Sequence, residues 1–277
     1  MTIRSDLFTY LQDFLLRRSG LMLADDKAYL IRSRVQVLLR KFDIADINTL
    51  VMRIKRQETG DIAKALIDEM TTNETLFFRD KYPFEALKKI IFPALNDTGG
   101  MHSPVKIWSA ASSRGQEPYS IAMTAAEALP NATQRVKILA TDLSEQAVNY
   151  GQSGIYSQIE VKRGLGEKQL SRFFSKQGET WQVRQDLKRM MTFQEANLVD
   201  DAVVMRARSY GPFDIVFCRN VLIYFSPEER KNVIDRLAKT MKPHAYLLTG
   251  AADRVIGHAS KWKSTMFQGK RIWQLQS

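Results

Sequence analysis

The fold of this chain is decided by residues 105–120, which read Val105-Lys-Ile-Trp-Ser-Ala-Ala-Ser-Ser-Arg-Gly-Gln-Glu-Pro-Tyr-Ser120. Three of the first four side chains are apolar, as in a buried strand. Small residues then permit a tight turn, in which Gly115 is able to adopt a positive φ or to let a ligand approach closely. Pro118 is typical of a first helical turn, where a missing N–H is no loss. The stretch therefore predicts the strand, turn and helix that open a nucleotide-binding α/β domain.

The turn after this strand narrows the choice of ligand. It lacks the G-x-G-x-x-G glycines of dinucleotide sites, which argues against a dehydrogenase, and it lacks the Lys-Ser/Thr of a phosphate loop. The free N–H groups at such a helix start attract polar or negative groups, but Glu117 stands there and would repel a phosphate. A carboxylate suits an ammonium group or a ribose hydroxyl instead. S-adenosylmethionine carries both groups and no phosphate, so it is the predicted ligand.

The composition sets limits on the partners. The 277 residues carry a formal net charge of +11, which predicts an acidic partner: nucleic acid, an anionic membrane or an acidic protein. The single cysteine excludes an intrachain disulfide and a cysteine zinc site, and it suits the reducing cytoplasm. The three scattered histidines show no metal-ligand spacing, so no metal site is predicted. No apolar run approaches the roughly 18 residues of a membrane span, so no membrane insertion is expected.

Residues 1–72 predict helices only, and we interpret them as a separate helical domain. Four apolar side chains recur at helical spacing and indicate one buried face: Ile31, Val35, Leu38 and Phe42. The same helix carries Arg34, Arg40 and Lys41, and residues 27–42 contain no acid. Such charges usually form a solvated helix face. The sharper interpretation is a docking face for an acidic helix.

Residues 73–277 alternate strand and helix patterns. After the opening unit, the apolar runs predict strands at 136–142, 190–193, 213–220 and 245–250 and a hairpin over 262–275. A further short strand at 181–184, joined by a turn to 190–193, is placed in a small inserted β-subdomain near 172–192. Alternating strands and helices that end in an antiparallel hairpin are the α/β architecture of a class I methyltransferase.

Asp142 closes the second of these strands. An acid at this position of a nucleotide-binding α/β domain usually holds a ribose, which is the role we predict. The alternative is a helix N-cap, because Asp142 and Ser144 both precede a predicted helix.

Four stretches resemble motifs of the chemotaxis receptor glutamate methyltransferases, the CheR family. They are Thr72-Asn-Glu-Thr-Leu-Phe-Phe-Arg79, Trp108-Ser-Ala-Ala-Ser-Ser-Arg-Gly-Gln-Glu-Pro-Tyr-Ser120, Ala140-Thr-Asp142 and Phe217-Cys-Arg-Asn-Val-Leu-Ile-Tyr-Phe225. The resemblance spans most of the chain in the family's order. It implies a class I S-adenosylmethionine-dependent, Rossmann-like methyltransferase domain with a small β-subdomain, preceded by an all-helical N-terminal domain.

The resemblance also implies an activity. Members of the family transfer a methyl group from S-adenosylmethionine to glutamate side chains of methyl-accepting chemoreceptors, which leaves S-adenosylhomocysteine and gives glutamate methyl esters during sensory adaptation. We therefore expect a cytoplasmic protein-glutamate O-methyltransferase, monomeric by default. Its expected partners are the Glu-rich methylation helices of chemoreceptors, which suit a basic face with Arg34, Arg40 and Lys41.

Individual site residues follow from the same resemblance. It implies that the cofactor site is lined by Asn73, Thr75, Arg79, Glu117, Asp142, Asn197, Leu198, Arg219 and Asn220. It also implies that Arg79 and Tyr224 stand nearest the transferred methyl group, where they would act in catalysis.

Three departures from the family pattern are visible. The usual Thr-Gly-Glu-Glu turn is Arg-Gly-Gln-Glu here, over residues 114–117, and its second acid is retained. The usual Gly-His-Ser-Glu after the fifth strand is Gly-Ala-Ala-Asp, over residues 250–253, which puts contacts from those positions in doubt. The turn over residues 175–180 is short. Members that bind a receptor's C-terminal pentapeptide carry a longer, Gly-rich turn, so we predict that this chain needs no such tether.

Two alternatives compete with this interpretation. A nucleic-acid methyltransferase would suit the positive charge, but base-modifying members usually carry an Asn/Asp-Pro-Pro-aromatic motif that stacks a flipped base. Residues 219–222 read Arg-Asn-Val-Leu, without a proline pair, so no nucleic-acid partner is expected. A non-catalytic adapter that senses S-adenosylmethionine stays open, because it would keep the same site residues.

Overall fold

The computed structural model describes residues 3–24, 28–100, 102–253 and 261–276. Its contacts divide the chain into two compact units. The helical unit comprises the chain up to Thr72 together with Tyr224–Glu229. The sheet unit comprises Asn73–Ile223 and the chain from Arg230 onward.

The helical unit contains α1 (Ser5–Ser19), α2 (Ala28–Lys41), α3 (Ile47–Arg56) and α4 (Asp61–Met70). Its core consists of fully buried apolar side chains, among them Leu11, Phe14, Ile31, Leu38, Leu50, Ile54 and Leu66. Arg40 and Lys41 at the end of α2 are exposed. Arg34 is half-buried, and its Nη1 donates to the backbone carbonyl of Glu69 on α4. The three predicted docking residues therefore differ, since Arg34 already has a structural partner.

The strands of the sheet unit are β1 (Val105–Ala110), β2 (Val136–Asp142), β3 (Ile155–Ser157), β4 (Phe174–Gln177), β5 (Thr180–Val183), β6 (Met191–Glu195), β7 (Phe213–Cys218), β8 (Met241–Thr249), β9 (Trp262–Phe267) and β10 (Lys270–Leu275). The helices after α4 are α5 (Tyr82–Ala86), α6 (Phe92–Gly99), α7 (Gln116–Ala128), α8 (Ala132–Arg135), α9 (Glu145–Ser153), α10 (Gln158–Lys162), α11 (Glu167–Phe173), α12 (Gln185–Lys188), α13 (Ala202–Arg208) and α14 (Pro227–Ala238). A π-helical stretch, Leu87–Ile91, joins α5 to α6.

Seven strands form the main sheet in the order β6-β2-β1-β7-β8-β10-β9. The strands from β6 to β8 are parallel, whereas β10 is antiparallel to β8 and β9 is antiparallel to β10. The central strand β7 is buried along its whole length, as an apolar parallel strand should be. The predicted class I methyltransferase fold is confirmed.

The chain reverses its direction across the sheet between β1 and β7. From β1 it proceeds to β2 and β6 on one side, and it then returns to β7 and β8 on the other. In open α/β sheets ligands bind outside the carboxyl ends of the strands at such a switch point. The topology therefore locates the site before any side chain is considered.

The small sheet differs from the predicted insertion. The predicted strand at 190–193 overlaps the third parallel strand, β6, which spans Met191–Glu195. The segment 181–184 is not joined to it by a simple turn, because the helical turn α12 lies between them. Instead β5 pairs with β4 and with β3 in a three-stranded antiparallel sheet that begins at Ile155, before the expected span of 172–192. A three-residue strand such as β3 is too short to show a period.

Within the described ranges, no helix is long and apolar enough to cross a membrane.

Candidate active site

The sheet brings most of the predicted cofactor residues to one edge. Asp142 is the last residue of β2, Arg219 directly follows β7, and Glu117 lies in the first turn of α7, which follows β1. Asn197 and Leu198 follow β6, and Asn220 follows Arg219. The carboxyl ends of parallel strands meet at the same edge, so residues far apart in sequence become neighbours there.

Asp142 is fixed by backbone donors. Its Oδ2 accepts the N–H of Ser113 at 2.7 Å, and its Oδ1 accepts the N–H of Ser144 at 3.0 Å. The N-cap of α9 is Ser144, whose Oγ accepts the N–H of Ala147. The alternative that Asp142 caps this helix is therefore wrong, because Asp142 still belongs to the strand.

The turn after β1 is tightly wound. Ala111, Ser113 and Gly115 have φ values of 64°, 50° and 90°. A Cβ at Gly115 would lie 2.9 Å from both the Cα of Gly151 and the Oη of Tyr156. The positive φ expected at Gly115 is thus observed. Packing against α9 and β3 requires a glycine there.

Arg219 is the centre of a buried charge network. Its Nη1 donates to Oε2 of Glu117 at 2.8 Å, while its Nη2 donates to Oδ2 of Asp80 at 2.7 Å and to the carbonyl of Arg79 at 2.9 Å. The Arg219 side chain is 1% exposed. Burial lowers the pKa of Arg219, but the carboxylates of Glu117 and Asp80 outweigh burial and raise it. Glu117, which also accepts from Ser109 Oγ at 2.7 Å, therefore balances the charge of Arg219.

The segment before α5 is anchored to the turn after β1. The carbonyl of Asn73 accepts from Ser113 Oγ at 3.0 Å, and the N–H of Phe78 donates to Ser120 Oγ at 2.9 Å. Thr75, between them, is half-buried. Phe78, Asp80 and Lys81 all have positive φ values, of 52°, 66° and 53°. Such values cost non-glycine residues energy and concentrate at functional sites.

Arg79 lies inside this strained segment. Its Nη1 donates to the carbonyl of Glu74 at 3.1 Å, and it forms no ion pair with any residue that the structure describes. A surface pair with Asp80 or Glu85 is not formed, since Asp80 binds Arg219 and Glu85 binds Lys89. A half-buried cation without an ionic partner is suited to an incoming carboxylate.

The loops after β6, β7 and β8 complete the edge. Asn197 Oδ1 accepts the N–H of Val199 at 3.2 Å, which orders the loop in which Leu198 is buried. Asn220 has a φ of 58°, and its N–H donates to the carboxylate of Asp253, which also accepts the N–H of Gly250. Burial raises the pKa of Asp253, although these backbone donors act in the opposite direction. Asp253 thus holds the loop after β8 in place.

Tyr224 belongs to another part of the structure. It ends the 3-10 helix Leu222–Tyr224, and its contacts assign it to the helical unit, in which its carbonyl accepts the N–H of Met22 at 3.0 Å. Its catalytic role stays a prediction.

The sequence analysis missed two acids of the network, Asp80 and Asp253. A buried arginine requires an acidic partner, and this rule applied to Arg219 would have directed the search to nearby acids. No sequence spacing identifies which acids those are.

The residues of the site fit S-adenosylmethionine. Six buried side-chain polar atoms have no hydrogen-bond partner among the described residues, and three of them bear on the cofactor: Ser112 Oγ, Gln116 Oε1 and Arg219 Nε. They belong to the turn after β1, the start of α7 and the residue after β7. A guanidinium donor suits an amino-acid carboxylate, oxygen acceptors suit an ammonium group, and Asp142 suits a ribose. In the described ranges, no cluster of three His, Cys, Asp or Glu side chains could hold a metal ion.

Replacing Asp142 with alanine is expected to weaken S-adenosylhomocysteine binding by at least about tenfold, since hydrogen bonds to a charged group contribute about 1.5–3 kcal/mol each. Calorimetric titration of wild type and variant measures the change. Asp201→Ala is the matched control, because Asp201 is an exposed acid of the same unit, and it pairs with Arg236. Equal affinity of the Asp142 variant and wild type would contradict the ribose role.

Comparison with known proteins shows the family of this chain. Residues 73–272 match the family model for the CheR methyltransferase SAM binding domain, and residues 6–71 match the CheR methyltransferase all-alpha domain. The chain is 38% identical to a chemotaxis protein methyltransferase of Vibrio parahaemolyticus over 100% of this chain and 99% of the relative. It is 39% identical to chemotaxis protein methyltransferase 1 of Pseudomonas aeruginosa over 89% of each chain. It is 33% identical to the chemotaxis protein methyltransferase of Escherichia coli over 89% of this chain and 83% of the relative.

Solved structures are matched more distantly. An rRNA methyltransferase from Streptomyces viridochromogenes superposes with a TM-score of 0.46 at 12% identity, over 79% of this chain and 93% of that chain. The sequence matches extend over both units of the chain. The chain therefore belongs to the CheR methyltransferase family, with S-adenosylmethionine as its cofactor.

Proposed function

We propose that this protein transfers a methyl group from S-adenosylmethionine to glutamate side chains of chemoreceptors and so forms glutamate methyl esters during sensory adaptation. The observation that carries the proposal is Arg79. It is a half-buried cation without an ion pair among the described residues, on a segment that Arg219 and Ser113 bind to the cofactor site. A carboxylate acceptor is the natural partner of such a group.

The chemistry makes few demands on the side chains. The bound cofactor supplies a methyl group on a sulfonium, which becomes a neutral thioether. A glutamate acceptor is already ionised near pH 7, so no general base has to remove a proton from it. The protein's contribution is alignment, which can supply several kcal/mol, up to about 7–11 in ideal cases. Arg79 would orient the acceptor carboxylate with two parallel hydrogen bonds, and Tyr224 would line the path of the methyl group.

The test is methylation of a purified cytoplasmic fragment of a methyl-accepting chemoreceptor with isotopically labelled S-adenosylmethionine. We expect label in the fragment that alkali releases as methanol, because esters hydrolyse and N-methyl groups do not. Mass spectrometry should place each methyl group on a glutamate. Binding of S-adenosylhomocysteine without transfer to the fragment would favour the adapter instead.

Charge reversal at two exposed residues of α2 tests receptor docking by the helical unit. The double variant Arg40→Glu/Lys41→Glu is expected to weaken binding of the receptor fragment about tenfold at low salt, because like charges then face an acidic helix. Cofactor affinity should stay unchanged. Arg34 is left intact, since its bond to the Glu69 carbonyl gives it a structural role. Exposed Arg53→Glu/Lys55→Glu on α3 is the control, and equal binding by wild type and the α2 variant would contradict a docking role for α2.

The length of the turn between β4 and β5 in the small sheet is relevant to the predicted absence of a receptor tether. The hairpin joins β4 to β5 through only two residues, Gly178 and Glu179. This short turn supports the proposal that no C-terminal pentapeptide tether is needed. We further propose a monomer located in the cytoplasm, where the methylation helices are.

A further inference from the structure

A cleft with a volume of about 550 Å³ lies in the sheet unit, next to the candidate cofactor site. One wall is the end of β8, with Gly250 and Asp253. The other wall is the start of β10 and the strand paired with it, and it contributes Met266, Lys270, Arg271 and Trp273. None of the predicted cofactor residues lines this cleft, so it is a separate feature.

The cleft is on the same edge of the sheet as the cofactor residues. The antiparallel pairing of Trp273 with Leu247 brings the first residues of β10 to the carboxyl end of β8. Asp253 connects the two places, because its carboxylate accepts the N–H of Asn220 and also that of Gly250. A polypeptide that reaches the cofactor site along this edge therefore passes the cleft.

The side chains of the outer wall combine positive charge with apolar surface. Arg271 and Trp273 are two residues apart on β10 and share a face, and Met266 pairs directly with Arg271. The Arg271 guanidinium lies 5.6 Å from the centre of the Trp273 ring, which holds it over that face. Met266 is 61% exposed. Methionine, aromatic and arginine side chains are enriched at interfaces, so this combination would suit an amphipathic acidic segment.

The charges of this wall are not compensated locally. Neither Lys270 nor Arg271 forms an ion pair with a residue that the structure describes, although both are exposed. The acid in the cleft, Asp253, has one carboxylate oxygen bound by two backbone N–H groups. The two cations thus remain available to a partner of opposite charge.

We infer that this cleft docks the acidic amphipathic segment that carries the acceptor glutamate, as a second contact distinct from α2. The inference deepens the proposed function and rests on it for the identity of the partner. Lys270 and Arg271 bind the acidic side chains that flank the acceptor, while Met266 and Trp273 pack against apolar side chains of the same segment. The contact selects a polypeptide by its charge pattern and aligns it along the edge that leads to the site.

The experiment measures binding and transfer separately. Fluorescence anisotropy follows a labelled cytoplasmic chemoreceptor fragment as it binds the protein in the presence of S-adenosylhomocysteine. The double variant Lys270→Glu/Arg271→Glu is compared with Lys137→Glu/Lys239→Glu, which makes the same charge change at exposed lysines outside the cleft, near the opposite edge of the sheet. The milder Lys270→Ala/Arg271→Ala covers the case in which charge reversal prevents folding.

We expect the cleft variant to raise the Kd for the fragment about tenfold or more at low salt, with the difference shrinking as salt screens the charges. The control variant should change the Kd for the fragment less than about threefold. Titration with S-adenosylhomocysteine should be unchanged in both, since neither alters the cofactor site. Equal affinities of wild type and cleft variant, or an equal loss in the control, would overturn the inference.

Transfer to the fragment is assayed in parallel, so that the two proposals fail differently. Wild-type binding that depends on the cleft but yields no methyl ester leaves the docking inference standing and refutes the glutamate methyltransferase function. Methyl transfer by the wild type, with unchanged binding of the fragment by the cleft variant, supports the glutamate methyltransferase function and refutes the docking inference.

Discussion

Replacing Arg219 with methionine is expected to lower the free energy of unfolding by about 3–5 kcal/mol, because one partner of a buried ion pair is removed and the other stays buried and charged. Glu117 is the group left behind, and among the described residues it keeps only the hydroxyl of Ser109 as a side-chain donor. Methionine fills a similar volume, so the loss measures the broken network and not a cavity. Urea unfolding followed by circular dichroism gives the change.

The rate of methyl transfer by Arg219→Met should fall by more than the loss of folded protein alone explains. Arg219 also donates to the carbonyl of Arg79 and to Asp80, and those residues lie in a stretch with three positive φ values. Without this donor the strained stretch is free to relax. A displacement of about 1 Å at a positioning group can cost about 10²-fold in rate. We therefore expect kcat/KM to drop at least about 10²-fold under conditions in which the variant is folded.

Two further variants separate charge from geometry. Arg219→Lys keeps the positive charge but lacks the planar fork that reaches Glu117, Asp80 and the Arg79 carbonyl at once. It should recover part of the stability and little of the activity. Asp80→Asn removes the partner that is 35% exposed and should destabilise by about 1 kcal/mol or less, as partly solvated pairs do. Full activity of Arg219→Lys would show that charge alone suffices, against the positioning role.

The fold was largely predictable from local patterns. The apolar run of β7 and the proline in the first turn of α7 each reflect a local physical requirement. Asp142 was found in the same way, because the end of a second strand is a fixed place in a parallel sheet. These predictions required only the order of the elements along the chain.

The partners within the site were not predictable from local patterns. Glu117 and Asp80 lie 102 and 139 residues from Arg219 in sequence, a separation at which no periodicity operates. Sequence analysis assigned Glu117 to the ligand, and the structure shows that both of its oxygens already have protein partners. Gly115 was given a positive φ correctly, but its steric reason depends on Gly151 and Tyr156, which only the folded chain places beside it.

Replacing Arg79 with alanine is expected to reduce kcat for methyl transfer about 10²–10³-fold, the usual effect of removing one preorganised donor from a reacting group. Binding of S-adenosylhomocysteine should stay within about tenfold of wild type. The structure provides a reason for this separation. Arg219 donates to the backbone carbonyl of Arg79, so truncating the Arg79 side chain leaves this backbone contact intact. The acceptor carboxylate then loses the guanidinium that orients it.

Measuring transfer and cofactor binding separately distinguishes an arginine that orients the acceptor from one with a purely structural role. Stopped-time methylation of the receptor fragment gives kcat and KM, and calorimetry gives the affinity for S-adenosylhomocysteine. Arg79→Lys retains a cation without the bidentate fork and should recover only part of the rate. Lys81→Ala is the matched control, because Lys81 is an exposed cation with a positive φ in the same strained stretch. If Arg79→Ala turned over normally, the acceptor carboxylate would have to be oriented by another group; if cofactor affinity fell in step with kcat, Arg79 would act on the cofactor and not on the acceptor.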